Sequence, residues 1–265
     1  MGFHFANFEY LIQKNFLNND SSILDVGSQN LYNATHQEII KFVKTIKKDI
    51  EIDDISEEAK RISYFTTPRP GERTAYISEI IDLTNIKYTS FDVCPALKTE
   101  ILDLNFEDLP TRYRESFDIV LNFGTTEHII NQLNCFRVMH DAMKVGGISF
   151  HQLPCAGWVN HGYYLYHLLF FQDLAKANDY EIVDYWYMPA GQCELPLDKM
   201  RMPESPLTEG KQSGVLTLLN FNLNIILRKK ISCSFKIKLE LETSHSALSK
   251  EASQLYLNGK RSTDK

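Results

Sequence analysis

The stretch that most constrains this chain is Ser22-Ile23-Leu24-Asp25-Val26-Gly27-Ser28-Gln29-Asn30. An apolar run, Ile23 to Val26, carries one acid and ends in glycine and small polar residues. Ile and Val favour a strand, and glycine permits the tight turn that follows. In an open α/β sheet such a turn lies at the carboxyl ends of the strands, where small ligands bind. Taken alone, the stretch fits an ordinary strand and turn equally well, so the rest of the chain has to decide.

The pattern on either side predicts alternation. Phe5, Phe8, Leu11, Ile12 and Phe16 mark an amphipathic helix over 5–18, and the first strand follows at 22–27. Residues 31–85 predict three helices, at 33–48, 51–64 and 72–83. Pro68 and Pro70 force an extended or turned piece between the last two. A crossover between parallel strands needs only about a dozen residues or slightly more, so this one reads as an inserted helical cap. Further strands are expected at 86–92, 100–104, 117–123 and 148–153. A helix over 129–143 should be closed by Val145-Gly146-Gly147 through a left-handed glycine cap, and Pro154 should stop the strand at 148–153. A helix at 168–178 and a strand at 180–187 come next. A proline-bearing loop follows at 188–214, then alternating strands at 215–227 and 232–242. Alternation of strands and helices predicts a doubly wound, Rossmann-like, mostly parallel sheet. The final strands, joined without a helix, predict a C-terminal antiparallel hairpin. The expected division is a main domain over 1–230, with its insertion at about 31–85, and a C-terminal strand and basic tail over 231–265.

Composition excludes several partners. The net charge of −6 is unevenly spread: residues 229–265 carry eight Lys/Arg against four Asp/Glu, so the body is the more acidic part. An acidic body argues against a nucleic-acid footprint. No apolar run is long enough to span a bilayer. Met1-Gly2-Phe3-His4-Phe5 lacks the features of a signal peptide, and Ala6 stands where a myristoylation signal needs Ser or Thr. Five scattered cysteines with no C-x-x-C pair fit a reducing cytoplasm better than a disulfide framework.

Five places, in order, resemble one family. They are Leu24-Asp25-Val26-Gly27; Asp92 at the end of the second strand; Leu102-Asp103-Leu104; Phe117-Asp118-Ile119-Val120-Leu121-Asn122 with the nearby Glu127-His128; and Val145-Gly146-Gly147. Over about residues 20–228 the chain resembles the class I, Rossmann-like S-adenosylmethionine-dependent methyltransferases. The resemblance implies S-adenosyl-L-methionine as cofactor. Asp25, Gly27, Ser28, Asp92, Asp103, Leu104 and Asn122 would form its site, with Asp92 on the ribose hydroxyls and Asp103 on the adenine amino group. The chemistry is consistent: carboxylates accept from hydroxyl and amino donors, and acids near the first turn suit a cationic ligand. Methyl transfer then needs chiefly alignment. Gly27-Ser28-Gln29-Asn30 departs from the family's frequent Gly-x-Gly-x-Gly, and it lacks the second glycine that a dinucleotide pyrophosphate requires.

The loop after the fifth main strand is the expected acceptor side. His161 and His151 are the candidate bases for a hydroxyl acceptor. Glu127, His128, Trp158, Tyr163 and Tyr164 are the candidate acceptor contacts. No ligand spacing points to a metal among His151, His161 and Glu127. Arg69 and Arg73 are a candidate anion clamp. The expected acceptor is a small molecule or a sugar-containing compound, O-methylated, with no nucleic-acid partner and oligomeric state open. Two other readings stand beside this one: a nicotinamide-dependent oxidoreductase on a similar sheet, and a non-catalytic relative that keeps the fold as a binding module.

Overall fold

In the computed structural model, residues 2–67, 69–190 and 220–236 are described. The chain runs β1 (Phe3–His4), α1 (Phe5–Gln13), β2 (Ser22–Val26), β3 (Leu31–Tyr32), α2 (His36–Ile46), α3 (Ile52–Tyr64), α4 (Ile77–Ile81), β4 (Lys87–Asp92) and β5 (Thr99–Ile101). It continues with β6 (Phe117–Phe123), a 3-10 turn (Thr126–His128), α5 (Gln132–Ala142), β7 (Met143–Ala156), α6 (Leu168–Asn178), β8 (Tyr180–Pro189) and β9 (Phe221–Lys229). Seven strands form one sheet in the order β5-β4-β2-β6-β7-β9-β8. Every pairing from β5 to β7 is parallel, and β9 runs antiparallel between β7 and β8. This is the expected doubly wound sheet with an antiparallel hairpin at one edge. Strand β2 sits where the winding reverses, with β4 on one side and β6 on the other.

The side-chain alternation of the strands sorts the core into two layers. Ile23, Ile119, Leu121, Ile148, Phe150 and Ile226 face one side, where Phe8 and Leu11 of α1, Phe42 and Val43 of α2, Ile62 of α3 and Ile80 of α4 pack against them. Leu24, Val26, Val120, Leu153, Ile225 and Leu227 face the other, under Phe136 and Met139 of α5 and Phe171 and Leu174 of α6. The inserted helices therefore clothe a sheet face. α2 begins with a reciprocal cap: the Glu38 carboxylate accepts from Thr35 N–H at 2.8 Å, and Thr35 Oγ1 accepts from Glu38 N–H. Ala75 to Ile77 then returns to the tip of β2, where Leu31 N–H donates to Ala75 O at 2.7 Å and Ile77 N–H to Gln29 O at 3.1 Å.

Several expectations are corrected. Helix 72–83 is only α4, five residues long, because Ala75 and Tyr76 are taken up in contacts with the β2 turn. The third main strand ends at Ile101, before Leu102-Asp103-Leu104. Val145-Gly146-Gly147 does not cap α5. The helix passes straight into β7, and the buried ammonium of Lys229 satisfies carbonyls on both sides of the junction, donating to His140 O at 3.0 Å and Met143 O at 3.1 Å. The two glycines instead lie in the irregularity where β7 bulges against β6, with Gly146 at φ +85°. Pro154 does not end its strand either. Pairing with β6 stops at Gln152, so Pro154 has a strand partner, β9, on one side only, and a missing N–H is tolerated there. Of the expected strand at 232–242, residues 232–236 form none and the rest lies outside the described residues, as do most of the loop at 188–214 and residues 215–219.

Candidate functional site

The carboxyl tips of β2, β4 and β5 adjoin one another. Gly27 turns the chain after β2 at φ +90°, a conformation that suits glycine. A Cβ there would lie 2.3 Å from Thr125 Oγ1, so a side chain is excluded by space as well. The turn places three successive amides, and all three are spent. Gly27 N–H donates to Phe91 O at 2.8 Å, Ser28 N–H to Asp92 Oδ2 at 2.8 Å, and Gln29 N–H to Asp25 Oδ2 at 3.4 Å. The Ser28 hydroxyl meets Thr99 Oγ1 at 2.8 Å. Gln29 Nε2 donates to Thr125 Oγ1 at 2.9 Å, which ties the β2 turn to the loop after β6.

The three aspartates differ in setting. Asp25 is fully enclosed beneath the α1–α4 layer. Its Oδ2 accepts from Tyr88 Oη at 2.7 Å, while Oδ1 has no hydrogen-bond partner. Burial holds this carboxyl well above its ordinary range, against the opposing pull of Tyr88 and Gln29. Asp25 therefore meets the turn through Gln29 N–H and is not open to a ligand. Asp92 is half-buried at the tip of β4; its Oδ1 accepts from Cys94 N–H at 2.9 Å, and both oxygens keep lone pairs free. Asp103 follows β5, with Leu102 N–H donating to Asp92 O at 3.0 Å and Asn105 N–H to Asp103 Oδ1 at 2.8 Å. Leu104 is buried in the α5 side of the core.

Two residues expected at the site lie beneath it. His151 and Asn122 are register partners on β7 and β6, and both face the α5–α6 layer, opposite to Asp25. Asn122 Nδ2 reaches Thr126 Oγ1 at 3.0 Å and His151 Nδ1 at 3.2 Å. His151 Nε2 meets Ser149 Oγ at 3.0 Å, and its ring packs against Phe136 and Phe171. Burial drives the His151 pKa down to about 3. An enclosed imidazole with both nitrogens engaged has no path to an acceptor, so His151, expected as a base, is not placed to act as one. Both residues instead support the turn above them. Tyr166, which no sequence signal marked, completes that support by donating to Gln132 Oε1 at 2.6 Å and lying 3.0 Å from Thr126 Oγ1.

The turn Thr126–His128 carries a second cluster. Glu127 is fully buried, its carboxylate oxygens have no hydrogen-bond partner on another described residue, and burial raises its pKa to about 7 against the weaker pull of its own backbone amide. Its Oε1 lies 3.5 Å from His161 Nε2 and 3.7 Å from His128 Nε2. The loop bearing His161 is clamped to this turn: Tyr163 N–H donates to Glu127 O at 2.7 Å. The Trp158 ring lies tilted against His161, centroids 4.5 Å apart, and anchors its indole N–H on Phe221 O and Asn222 Oδ1. Tyr163 is exposed, and Tyr164 donates to Ile130 O at 3.0 Å.

The suspected anion clamp is not free. Arg73 forms a two-pronged pair with Glu79, at 2.7 and 3.1 Å, and Arg69 lies over the Tyr64 ring at 3.7 Å. An open cleft of about 640 Å³ lies at the opposite, amino end of the sheet, between Lys14, Asp118, Lys144 and Arg228. Lys144 is paired there with Asp118 and Arg228 with Glu181.

The chain is similar to the [4+2]-cyclase SpnF, at 12% identity and a TM-score of 0.48, over 86% of this chain and 81% of that one. It is similar to 1,6-didemethyltoxoflavin-N1-methyltransferase of Burkholderia thailandensis, seen with S-adenosylhomocysteine bound, at 10% identity and 0.45, over 86% and 78%. It is also similar to phosphoethanolamine N-methyltransferase 2 of Haemonchus contortus, at 14% identity and 0.44, over 85% of this chain and 53% of that one. No family model matches the chain, and no curated protein matches it.

Proposed function

We propose that this chain is an S-adenosylmethionine-dependent methyltransferase acting on a small-molecule acceptor. One observation carries the reading: the three amides of the Gly27–Gln29 turn are already bonded, two of them to carboxyl groups. A dinucleotide pyrophosphate needs such amides free and positive. Here the turn presents bonded amides and an acid at its rim, a surface suited to a cationic sulfonium and an ammonium group. Asp92 retains acceptor capacity for ribose hydroxyls, and Asp103 stands on the next tip for the adenine amino group. This separates the proposal from the nicotinamide reading on the same sheet.

The acceptor side is formed by the turn Thr126–His128 and the loop over 157–164. The proposed reaction is O-methylation, with His161 as the base. Burial lowers its pKa, so at neutral pH the ring is uncharged and able to take a proton. Trp158 and Tyr163 are the rings offered to a sugar-bearing acceptor. Within this reading residues 1–230 are the catalytic domain, 31–85 its insertion and 231–265 a tail, and the protein acts in the cytoplasm. Among the described residues no helix is long and apolar enough to cross a membrane.

Isothermal titration with S-adenosylhomocysteine tests the proposal. Saturable binding that Asp92→Ala weakens at least about tenfold supports it; one lost charge-assisted hydrogen bond at about 1.5–3 kcal/mol is of that size. A folded protein that ignores S-adenosylhomocysteine yet binds a nicotinamide dinucleotide would refute it.

A further inference from the structure

The cluster above the buried Asn122–Thr126 network has a feature that methyl transfer does not require. Glu127 is a fully buried carboxylate, and among the described residues neither of its oxygens has a hydrogen-bond partner on another residue. His161 Nε2 is likewise buried without a hydrogen bond. A carboxylate that served only packing would be expected to collect donors, since an unsatisfied buried acceptor is costly. Two imidazoles face it instead. One donor atom from each of Glu127, His128 and His161 falls within 4.8 Å of the other two.

The loop is built to hold that approach. Gly162 follows His161, and a Cβ there would lie 2.9 Å from both Glu127 Cγ and Glu127 O. Only a residue without a side chain lets the loop come this close. Tyr163 and Tyr164 both donate to Glu127 O, at 2.7 and 3.3 Å, and pin the loop by its backbone. Trp158 holds a positive φ of 50°, a strained value for a bulky side chain. Trp158 braces the His161 ring from the side.

From this geometry we propose that Glu127, His128 and His161 are the protein ligands of a divalent transition-metal ion, zinc being the ion their donor set favours. Imidazole nitrogens suit first-row divalent metals, and two histidines with one carboxylate are a known three-ligand set for such ions. Ligands about 2.0–2.1 Å from zinc at tetrahedral angles lie about 3.3 Å apart. The Glu127–His161 and Glu127–His128 separations of 3.5 and 3.7 Å need a slight contraction to reach that, and the two imidazole nitrogens, within 4.8 Å of each other, close the rest by rotation of the half-exposed His128 ring. Three protein ligands leave a coordination position for water or for an oxygen of a small molecule. The spacing was hidden from the sequence because Glu127 and His128 are neighbours while His161 arrives on a different loop. Ion binding needs no methyl donor, so the site stands apart from the methyltransferase reading. A bound ion would make His161 a ligand and remove it as a free base.

The test uses the untagged full-length chain, stripped with a chelator and titrated with Co²⁺ as a spectroscopic probe, followed by Zn²⁺ competition. We expect one Co²⁺ per chain with visible bands of nitrogen and oxygen coordination, displaced by Zn²⁺. Loss of even an outer-shell partner commonly costs 10–100-fold in affinity, so Glu127→Gln and His128→Ala should each weaken binding at least about tenfold. His167→Ala, at an exposed position away from the cluster, should not. His128 is itself substantially exposed, so its variant is expected to fold even where the Glu127 variant does not. A spectrum no different from aqueous Co²⁺, or wild-type affinity in a folded His128→Ala protein, overturns the proposal. S-adenosylhomocysteine binding is followed in the same samples. Its loss with Co²⁺ binding intact sinks only the methyltransferase reading, and the reverse pattern sinks only the metal site.

Discussion

The hydroxyl of Tyr88 donates to Oδ2 of Asp25 at 2.7 Å, and solvent does not reach the carboxyl. Strand register explains the contact. Tyr88 pairs with Ile23, so its ring extends along the sheet face toward Asp25 two residues further on. The acid that makes the first turn recognisable is therefore a buried anchor. Tyr88→Phe removes its shortest hydrogen bond and should cost about 1–3 kcal/mol, read as a lower midpoint in denaturant unfolding.

Asp25 also sets a pH dependence. Because burial raises its folded pKa well above 3.8, the folded state keeps a proton that the unfolded chain releases. Its contribution is full below about pH 4 and is lost as pH rises toward the folded value. Asp25→Asn should abolish that loss. The stability of the variant relative to wild type is expected to grow with pH above about 4; a constant difference across the range would contradict the assignment.

His151 acts with the opposite sign. Its pKa falls from 6.5 to about 3 on folding, so below about pH 6.5 the unfolded chain binds a proton that the folded one refuses. Stability is complete above that pH and declines as pH falls toward 3, by up to about 1.4 kcal/mol per pH unit. His151→Gln should flatten this acid limb while leaving S-adenosylhomocysteine affinity within about threefold (under 1 kcal/mol). Acid unfolding curves of the two proteins decide it.

Gly27→Ala tests the turn. The new Cβ meets Thr125 Oγ1 at 2.3 Å in a backbone conformation that already disfavours a side chain. Strain of about 1–3 kcal/mol is expected, together with loss of S-adenosylhomocysteine binding. Pairing the change with Thr125→Ala or Thr125→Ser separates the two causes: relief by Thr125→Ala but not by Thr125→Ser isolates the clash with Oγ1.

Lys229 is the last of these anchors. Its ammonium is almost fully buried and donates to His140 O, to Met143 O and to Glu115 Oε1, the last at 3.0 Å. Lys229→Met fills the space but strands two carbonyls at the α5–β7 junction, and a loss of about 1–3 kcal/mol is expected. Arginine, too large for the pocket, should not rescue it.

Much of the fold could be read from periodicity. Phe117–Phe123 and Leu168–Asn178 fall where the apolar pattern put them, because each is a clean period bounded by polar residues. The element ends expected at Gly146-Gly147 and Pro154 are not ends. Glycine and proline announce a break, but a bulge and a one-sided strand satisfy them equally well. At the site, Gly27 and Ser28 came to the expected turn and Asp92 to its rim. Asp25 proved enclosed, and Asn122 and His151 lay on the other sheet face. That last result had a signal: a sheet covered on both sides buries both alternations of β7, so a histidine in the middle of such a strand has no open side. Tyr88, Gln29, Thr125 and Tyr166 gave none, since their contacts arise from pairing between distant segments.

The insertion of β9 between β7 and β8 carries a consequence for synthesis. When the first 190 residues have left the ribosome, β7 and β8 exist but the strand that joins them does not. The nascent protein must hold an open apolar edge until residues 221–229 arrive. Final closure therefore waits on β9, and a translational pause after β8 would lengthen the time this edge is available to chaperones or to other nascent chains.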